Sequence, residues 1–153
     1  MTKKSWRNHN PDQNKIGSQL KRIEKQLINT AFSPSESQIQ CSFIDYVDKV
    51  HPDLRDCFIK LDNEGKTSWH LGKIKKREGK RKGAADLLFS HATIAHHGLW
   101  MEFKTEEGKV SAAQKEFGRA QTAKGYAYVV VRSVDEAIIA LQRYLAGALF
   151  TWE

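Results

Sequence analysis

The sequence predicts an α/β domain in which one mixed β-sheet is flanked by helices. Three observations lead there. Four short stretches have strand character, either alternating apolar with polar residues or running apolar throughout. The segments around them repeat apolar residues every three or four positions, which is helical spacing. Serines stand where three of those helical segments begin, a position that favours N-caps. The order is helix, helix, strand, short helix, strand, strand, helix, strand, helix.

Residues 1–11 read as a loose basic arm. From Asp12, the residues Ile16, Leu20, Ile23 and Leu27 form one apolar stripe, so a helix runs to about Asn29–Thr30. Ser33-Pro34-Ser35-Glu36 opens the next helix, with Ser33 as N-cap, Pro34 in the first helical position and Glu36 closing a capping box. Its inward face is Ile39, Phe43, Val47 and Val50, and His51-Pro52 stops it. Asp56–Asp62 reads as the first strand and Asn63-Glu64-Gly65 as a turn. Thr67–Arg77 suits a short helix carrying Trp69 and Ile74, with Gly79 near its end. Ala84–Ser90 is a second strand and Leu99–Lys104 a third, joined by the loop His91–Gly98. In the third, Leu99, Met101 and Phe103 share one face; Trp100, Glu102 and Lys104 share the other. Ser111 and Gln114 form a second capping box, opening a helix that reaches Gly125. Tyr126–Val131 is nearly continuously apolar, as in a strand buried on both faces. Ser133 starts the last helix, whose apolar set is Ile138, Leu141, Tyr144 and Leu145.

Composition narrows the class. The 153 residues fit one domain with a single core, here expected as a basic arm and helix over 1–30 and the domain proper over 31–153. Apolar residues at 40% and charged residues at 28% are globular values. No apolar run approaches the ~20 residues that span a bilayer. The first residues lack the apolar stretch of a signal peptide, and Cys41 and Cys57 cannot build a disulfide framework. A cytoplasmic protein without a membrane partner is the expectation. The net charge is +7, and its excess is clustered. Lys73, Lys75, Lys76, Arg77, Lys80, Arg81 and Lys82 stand against a single acid, Glu78. Clustered positive charge attracts a polyanion, because neutralising phosphates releases their condensed counterions. A solvated loop that aids solubility is the plainer reading; the clustering favours nucleic acid, with these seven residues as phosphate contacts.

Three charged residues stand where a sheet core resists charge. Asp86 is expected within an apolar strand, and Glu102 and Lys104 in the next. If those strands pair, Asp86 can stand beside Glu102. Two adjacent carboxylates repel unless a divalent cation neutralises them. Magnesium takes one or two carboxylates with water and phosphate completing its shell, polarises a phosphate and lowers the pKa of a bound water. Lys104 beside such a site would hold or help deprotonate the attacking water and offset developing negative charge. Phosphodiester hydrolysis is the chemistry implied. The competing reading makes Glu102 and Lys104 a solvated strand face and Asp86 a turn residue after Gly83.

The D…E-x-K pattern on an α-β-β-β-α-β order resembles the PD-(D/E)xK nuclease superfamily, and within it the virus-type replication-repair nuclease domain, VRR-NUC. The matching stretches are Lys80–Phe89, Gly98–Lys104, Gly108–Gln114 and Gly125–Ser133, within a likeness running from Glu36 to Leu145. The resemblance implies a restriction-endonuclease-like fold. It implies Mg²⁺, with Mn²⁺ as substitute, held by Asp86, Glu102 and the backbone carbonyl of Phe103, with Lys104 assisting catalysis. It matches the family's glutamine to Gln114 and its first-helix acid to Glu36. Ala85 departs from the pattern, standing where the family usually has proline. The implied activity is a structure-selective DNA endonuclease, similar to a homodimeric Holliday-junction resolvase of a phage or prophage, acting on branched DNA. A flap- or nick-directed or restriction-like nuclease, and a DNA-binding module without catalysis, are the alternatives.

Some residues carry two readings. Glu36 is explained by a capping box, yet it shares the inward stripe with Ile39 and Phe43 and can reach a metal site at the sheet edge. Gln114 is likewise a cap or a site residue. His91, His96 and His97 sit in one loop without cysteine or acid at zinc-ligand spacing, and are expected in solvent or at the DNA surface. Gly83 is expected to let backbone approach a metal or phosphate. Trp69, Trp100 and Tyr126 read as packing, and Ala146–Trp152 as either an apolar contact surface between copies or a cover for the core.

Overall fold

The structure, a computed structural model, describes residues 33–61, 73 and 77–150. The expected arm and helix over 1–30, the turn at Asn63–Gly65, and Asp62, Trp69, Ile74, Lys75, Lys76 and Trp152 lie outside the described residues. From Pro34 on, the described residues belong to one compact unit.

Helix α1 spans Glu36–Val50 and is opened by Ser35 rather than Ser33. The Ser35 backbone is extended, its Oγ accepts from the Gln38 amide at 3.2 Å, and Gln38 Oε1 accepts from the Ser35 amide at 2.8 Å. Both serines head a Ser-x-x-Glu/Gln sequence, but only this register forms the reciprocal box. Pro34 therefore stands before the helix, and Glu36 is released from capping. Ile39, Phe43 and Val47 are buried, whereas Val50, the last helical residue, is 51% exposed. A 3₁₀ turn, Pro52–Cys57, takes the first part of the expected strand. Pro52 favours that turn through its fixed φ, and Leu54 is buried by it. Strand β1 is left with Phe58–Lys60.

Strands β2 (Leu87–Phe89) and β3 (Leu99–Phe103) follow, then helix α2 (Ala112–Thr122), strand β4 (Ala127–Val131) and helix α3 (Val134–Leu145). The sheet order is β1-β2-β3-β4, with the first two pairings antiparallel and the last parallel. This is the expected mixed sheet. The pleat sorts β3 as its alternation requires. Leu99, Met101 and Phe103 are buried on the side of α1 and α3, where Phe43 meets Phe103 at 6.1 Å and Phe58 at 5.7 Å between ring centroids. Trp100 and Glu102 face α2, where Phe117 meets Trp100 edge-on at 5.1 Å.

Three expectations change. Among the described residues β4 lies at a sheet edge, so Val129 and Val130 are only half-buried. Helix α3 buries Ala137, Ala140, Leu141 and Tyr144, while Ile138 and Leu145 are half-buried; the two alanines let the helix approach the sheet closely. His96 is buried, not solvated: its Nε2 accepts from the Phe150 amide at 3.1 Å, and its ring lies over Tyr144. Phe150 thus covers the core beside Tyr144, while Leu149 is exposed. No helix among the described residues is long and apolar enough to cross a membrane.

Phe43 is fully buried between two other phenylalanines. Phe43→Ala should cost about 3–5 kcal/mol in chemical denaturation, against roughly 0.5 kcal/mol or less for Val50→Ala on the same helix.

Candidate active site

The β2–β3 pairing sets Leu87 opposite Met101 and Leu88 opposite Trp100. One step outward in the same register, Asp86 falls opposite Glu102. Asp86 is not inside the strand, as the sequence suggested, but in the bend just before it. Its position is nevertheless fixed: Oδ2 accepts from the Phe103 amide at 2.9 Å, and its carbonyl accepts from the Leu61 amide at 2.9 Å. The carboxylate is pinned to the strand that carries Glu102.

Glu102 is fully buried on the α2 side of the sheet. Its two oxygens are treated unequally. Oε1 accepts from Lys104 Nζ at 2.5 Å and from Gln114 Nε2. Oε2 is buried without a hydrogen-bond partner among the described residues. Lys104, itself buried, also donates to the Phe103 carbonyl at 3.1 Å and lies 3.6 Å from Glu36 Oε2.

Gln114 and Glu36 settle their double readings differently. Gln114 does both jobs, because an amide carries an acceptor and a donor. Its Oε1 caps α2 through the Ser111 amide at 2.8 Å, and its Nε2 holds Glu102. Glu36 is no cap; from the first turn of α1 its Oε1 accepts from the Thr105 amide at 3.4 Å. One helix from each face of the sheet thus sends a side chain around the end of β3.

Burial pushes the Glu102 carboxyl up to about 7; repulsion from Asp86 and Glu36 adds to this, and Lys104 opposes it. Burial works against the Lys104 charge, but the hydrogen bond and charge of Glu102, with Glu36 and Asp86, outweigh it and hold the ammonium above its ordinary range. Tyr128 is pushed upward by burial and by the same two acids, Glu102 and Asp86.

These residues fit a divalent cation of the hard-oxygen type. Asp86, Glu102 Oε2 and the Phe103 carbonyl would hold it. A buried carboxylate oxygen without a donor is costly, and a cation relieves that cost. Among the described residues no three His, Cys, Asp or Glu side chains converge on one point. The donor set would be two carboxylates and a main-chain oxygen, a combination that suits magnesium with water and phosphate completing its shell.

The basic run is partly described. Lys73 and Arg77 are helical and exposed, Lys80 is half-buried, and Arg81 and Lys82 are exposed. Gly83 does not open onto a ligand as expected. With φ +81°, it packs so tightly that a Cβ would lie 2.4 Å from the Ala113 carbonyl. The glycine that follows the run is therefore packed against the start of the helix carrying Gln114. The exposed His91 and His97 lie in the β2–β3 loop, at the opposite end of those strands from Asp86 and Glu102. Arg132, unnoticed in the sequence, follows β4 and donates to three carbonyls after Lys104. Only the β3–β4 register, which the sequence does not state, sets it beside the site.

Mixed strand pairing, helices on both faces and an acid pair at the strand ends place the chain in the restriction-endonuclease-like α/β class. Its likeness to the VRR-NUC domain holds in three dimensions. A solved structure described as a VRR_NUC domain protein superposes with a TM-score of 0.64 and is 26% identical, covering 77% of this chain and 93% of that one. No family model and no curated protein matches the chain.

The buried acid predicts a pH signature. Its carboxyl binds a proton more tightly folded (about 7) than at its ordinary 4.5. The folded state then holds more protons between these values, so metal-free protein loses stability as pH rises through that window. Thermal unfolding in EDTA should show this slope, and Glu102→Gln should remove it. Added Mn²⁺ should raise the Tm more at pH 7.5 than at pH 5, since the ligand binds deprotonated.

Proposed function

We propose that the protein is a divalent-metal-dependent endodeoxyribonuclease that hydrolyses phosphodiester bonds. The observation that carries this is the fully buried Glu102, with one oxygen held by Lys104 and Gln114, the other without a donor, and Asp86 opposite in register. The VRR_NUC likeness supports it.

In this reading Asp86, Glu102 and the Phe103 carbonyl bind Mg²⁺, or Mn²⁺ in its place. Bound there, the ion would polarise the scissile phosphate and lower the pKa of a water. Gln114 and Lys104 fix the rotamer of Glu102 by holding Oε1. Lys104 remains an ammonium, so it steadies the negative charge that develops on the phosphate and can pass a proton to the departing oxygen. Glu36 keeps Lys104 turned toward the acids. Lys73, Lys75, Lys76, Arg77, Lys80, Arg81 and Lys82 position DNA through its phosphates.

In the same proposal the protein is a cytoplasmic, phage- or prophage-type enzyme resembling Holliday-junction resolvases. Its working form is a homodimer, since two sites related by a twofold axis suit paired cuts across a branch point. In this proposal residues 1–30 are a basic arm and helix, and residues 31–153 the nuclease domain.

A panel of linear, nicked, flap and four-way DNA with Mg²⁺, Mn²⁺ or EDTA tests this. Metal-dependent cleavage with preference for the four-way substrate is expected. Preference for flaps or nicks would correct the substrate alone. Binding that persists in EDTA without products in either metal would make the protein a DNA-binding module. Asp86→Ala, Glu102→Ala and Lys104→Ala should each lower cleavage at least about 10³-fold, with affinity for DNA in EDTA little changed. Reversing Lys80, Arg81 and Lys82 to Glu should weaken binding to every DNA alike and flatten its salt dependence, as measured by fluorescence anisotropy.

A further inference from the structure

The segment between Lys104 and Ser111 links the two elements that hold Glu102. At one end Lys104 bonds the acid; at the other Ser111 and Gln114 open α2, and Gln114 bonds the same oxygen. The linker has little burial of its own: Glu106, Glu107, Lys109 and Ser111 are exposed, and Thr105, Gly108 and Val110 are half-buried. Few apolar contacts mean that hydrogen bonds set its shape.

The Gly108 amide closes the turn on the Thr105 carbonyl at 2.9 Å, and three further bonds to it come from one side chain. Lys104 donates its amide to the Val131 carbonyl at 3.0 Å, which carries the parallel β3–β4 register one step past the strand ends. Arg132 is thereby level with Lys104. Its Nη1 donates to the carbonyls of Thr105 at 2.5 Å, Glu106 at 3.1 Å and Gly108 at 2.8 Å. Its own amide donates to Glu136 Oε2 at 2.7 Å, tying its backbone to the first turn of α3. The turn it grips is tight, since a Cβ on Gly108 would lie 3.1 Å from the Thr105 amide. Thr105 in turn donates to Glu36.

We propose that Arg132 is a positioning residue. By gathering three carbonyls on a permanently charged group, it fixes the 105–110 turn and so holds Lys104 and Gln114 together on Glu102. Charge-assisted bonds suit this task, because a guanidinium stays protonated at any working pH. The inference rests on the proposed metal site, and outer residues that orient metal ligands typically contribute about 10–100-fold to affinity or rate.

The test uses Arg132→Ala and Arg132→Lys in the full chain. Hydrogen exchange of the backbone amides over 105–111, read without metal, should speed up in the alanine variant while α1 stays protected. Mn²⁺ affinity, measured by titration calorimetry without DNA, should fall about 10-fold or more. Affinity for DNA in EDTA should not change. Lysine, which keeps the charge on a shorter side chain, should recover part of both losses. Exchange that does not change overturns the brace. Exchange that quickens while Mn²⁺ affinity stays at the wild-type value overturns the positioning role. Wild-type protein that binds no Mn²⁺ overturns the metal reading instead; the metal-free exchange result then decides separately whether Arg132 braces the turn.

Discussion

A fully buried carboxylate on the middle of the sheet is the constraint around which the rest of this molecule is arranged. Glu102 is wholly removed from the surface, and its charge is offset on one oxygen only, by the Lys104 ammonium at 2.5 Å. Burying an unpaired charge is among the most costly things a fold can do, and proteins normally respond by pairing it or neutralising it. Here the response is partial. Lys104 and Gln114 converge on one oxygen, and the second oxygen is left without a donor. Asp86 nearby makes the burden heavier, and the upward push on the Glu102 carboxyl is the electrostatic expression of that arrangement. A domain built only to be stable would place a valine there, as β4 does at Val130, the residue opposite.

Local hydrogen-bond chemistry decides which side chains can meet this acid. Two capping boxes with the same grammar have different consequences. At α2 the glutamine in the box is also the residue that bonds Glu102, so capping and site geometry are one event. At α1 the box closes through Gln38, and that choice turns Glu36 toward Lys104 and Thr105. A shift of two residues in the first cap would have spent Glu36 on its own helix. The site is assembled from helix starts because their orientations are set within one turn by hydrogen bonds of known geometry.

Much of this was legible in the sequence, for reasons that differ from element to element. The strands of Glu102 and Val131 and the helix at Ser111 could be read because period and capping are local properties. Glu102 and Lys104 could be read together because residues two apart on a strand share a side, and the acid pair because consecutive strands tend to pair. What could not be read depended on contacts between distant segments. The start of β2 is lost to the bend that brings Asp86 to the Phe103 amide. Gly83 looked like a ligand-approach glycine, yet its neighbour is the backbone of Ala113, which only the tertiary fold brings close. His96 looked polar and exposed; the Phe150 amide, 54 positions away, makes its burial possible. Arg132 had no local mark, since an arginine before a helix reads as a surface charge.

In the proposed reading, the unequal treatment of the two Glu102 oxygens also bears on how readily the site would take a cation. If both were satisfied by the protein, an incoming cation would have to break a hydrogen bond for each contact it gained. If neither were held, the side chain would have to be ordered at the moment of binding, at a cost in rotamer entropy. Holding Oε1 from two sides while leaving Oε2 without a donor avoids both costs. The carboxylate is already oriented, and the group that remains is the one whose burial is unfavourable until positive charge arrives. Lys104 cannot serve as that charge for both oxygens, because its position is fixed by the Phe103 carbonyl and Glu36 as well as by Oε1. In the proposed reading the site is therefore strained electrostatically rather than sterically, and the core of Phe43, Phe89, Phe103 and Tyr144 on the other face of the sheet supplies the stability that tolerates it.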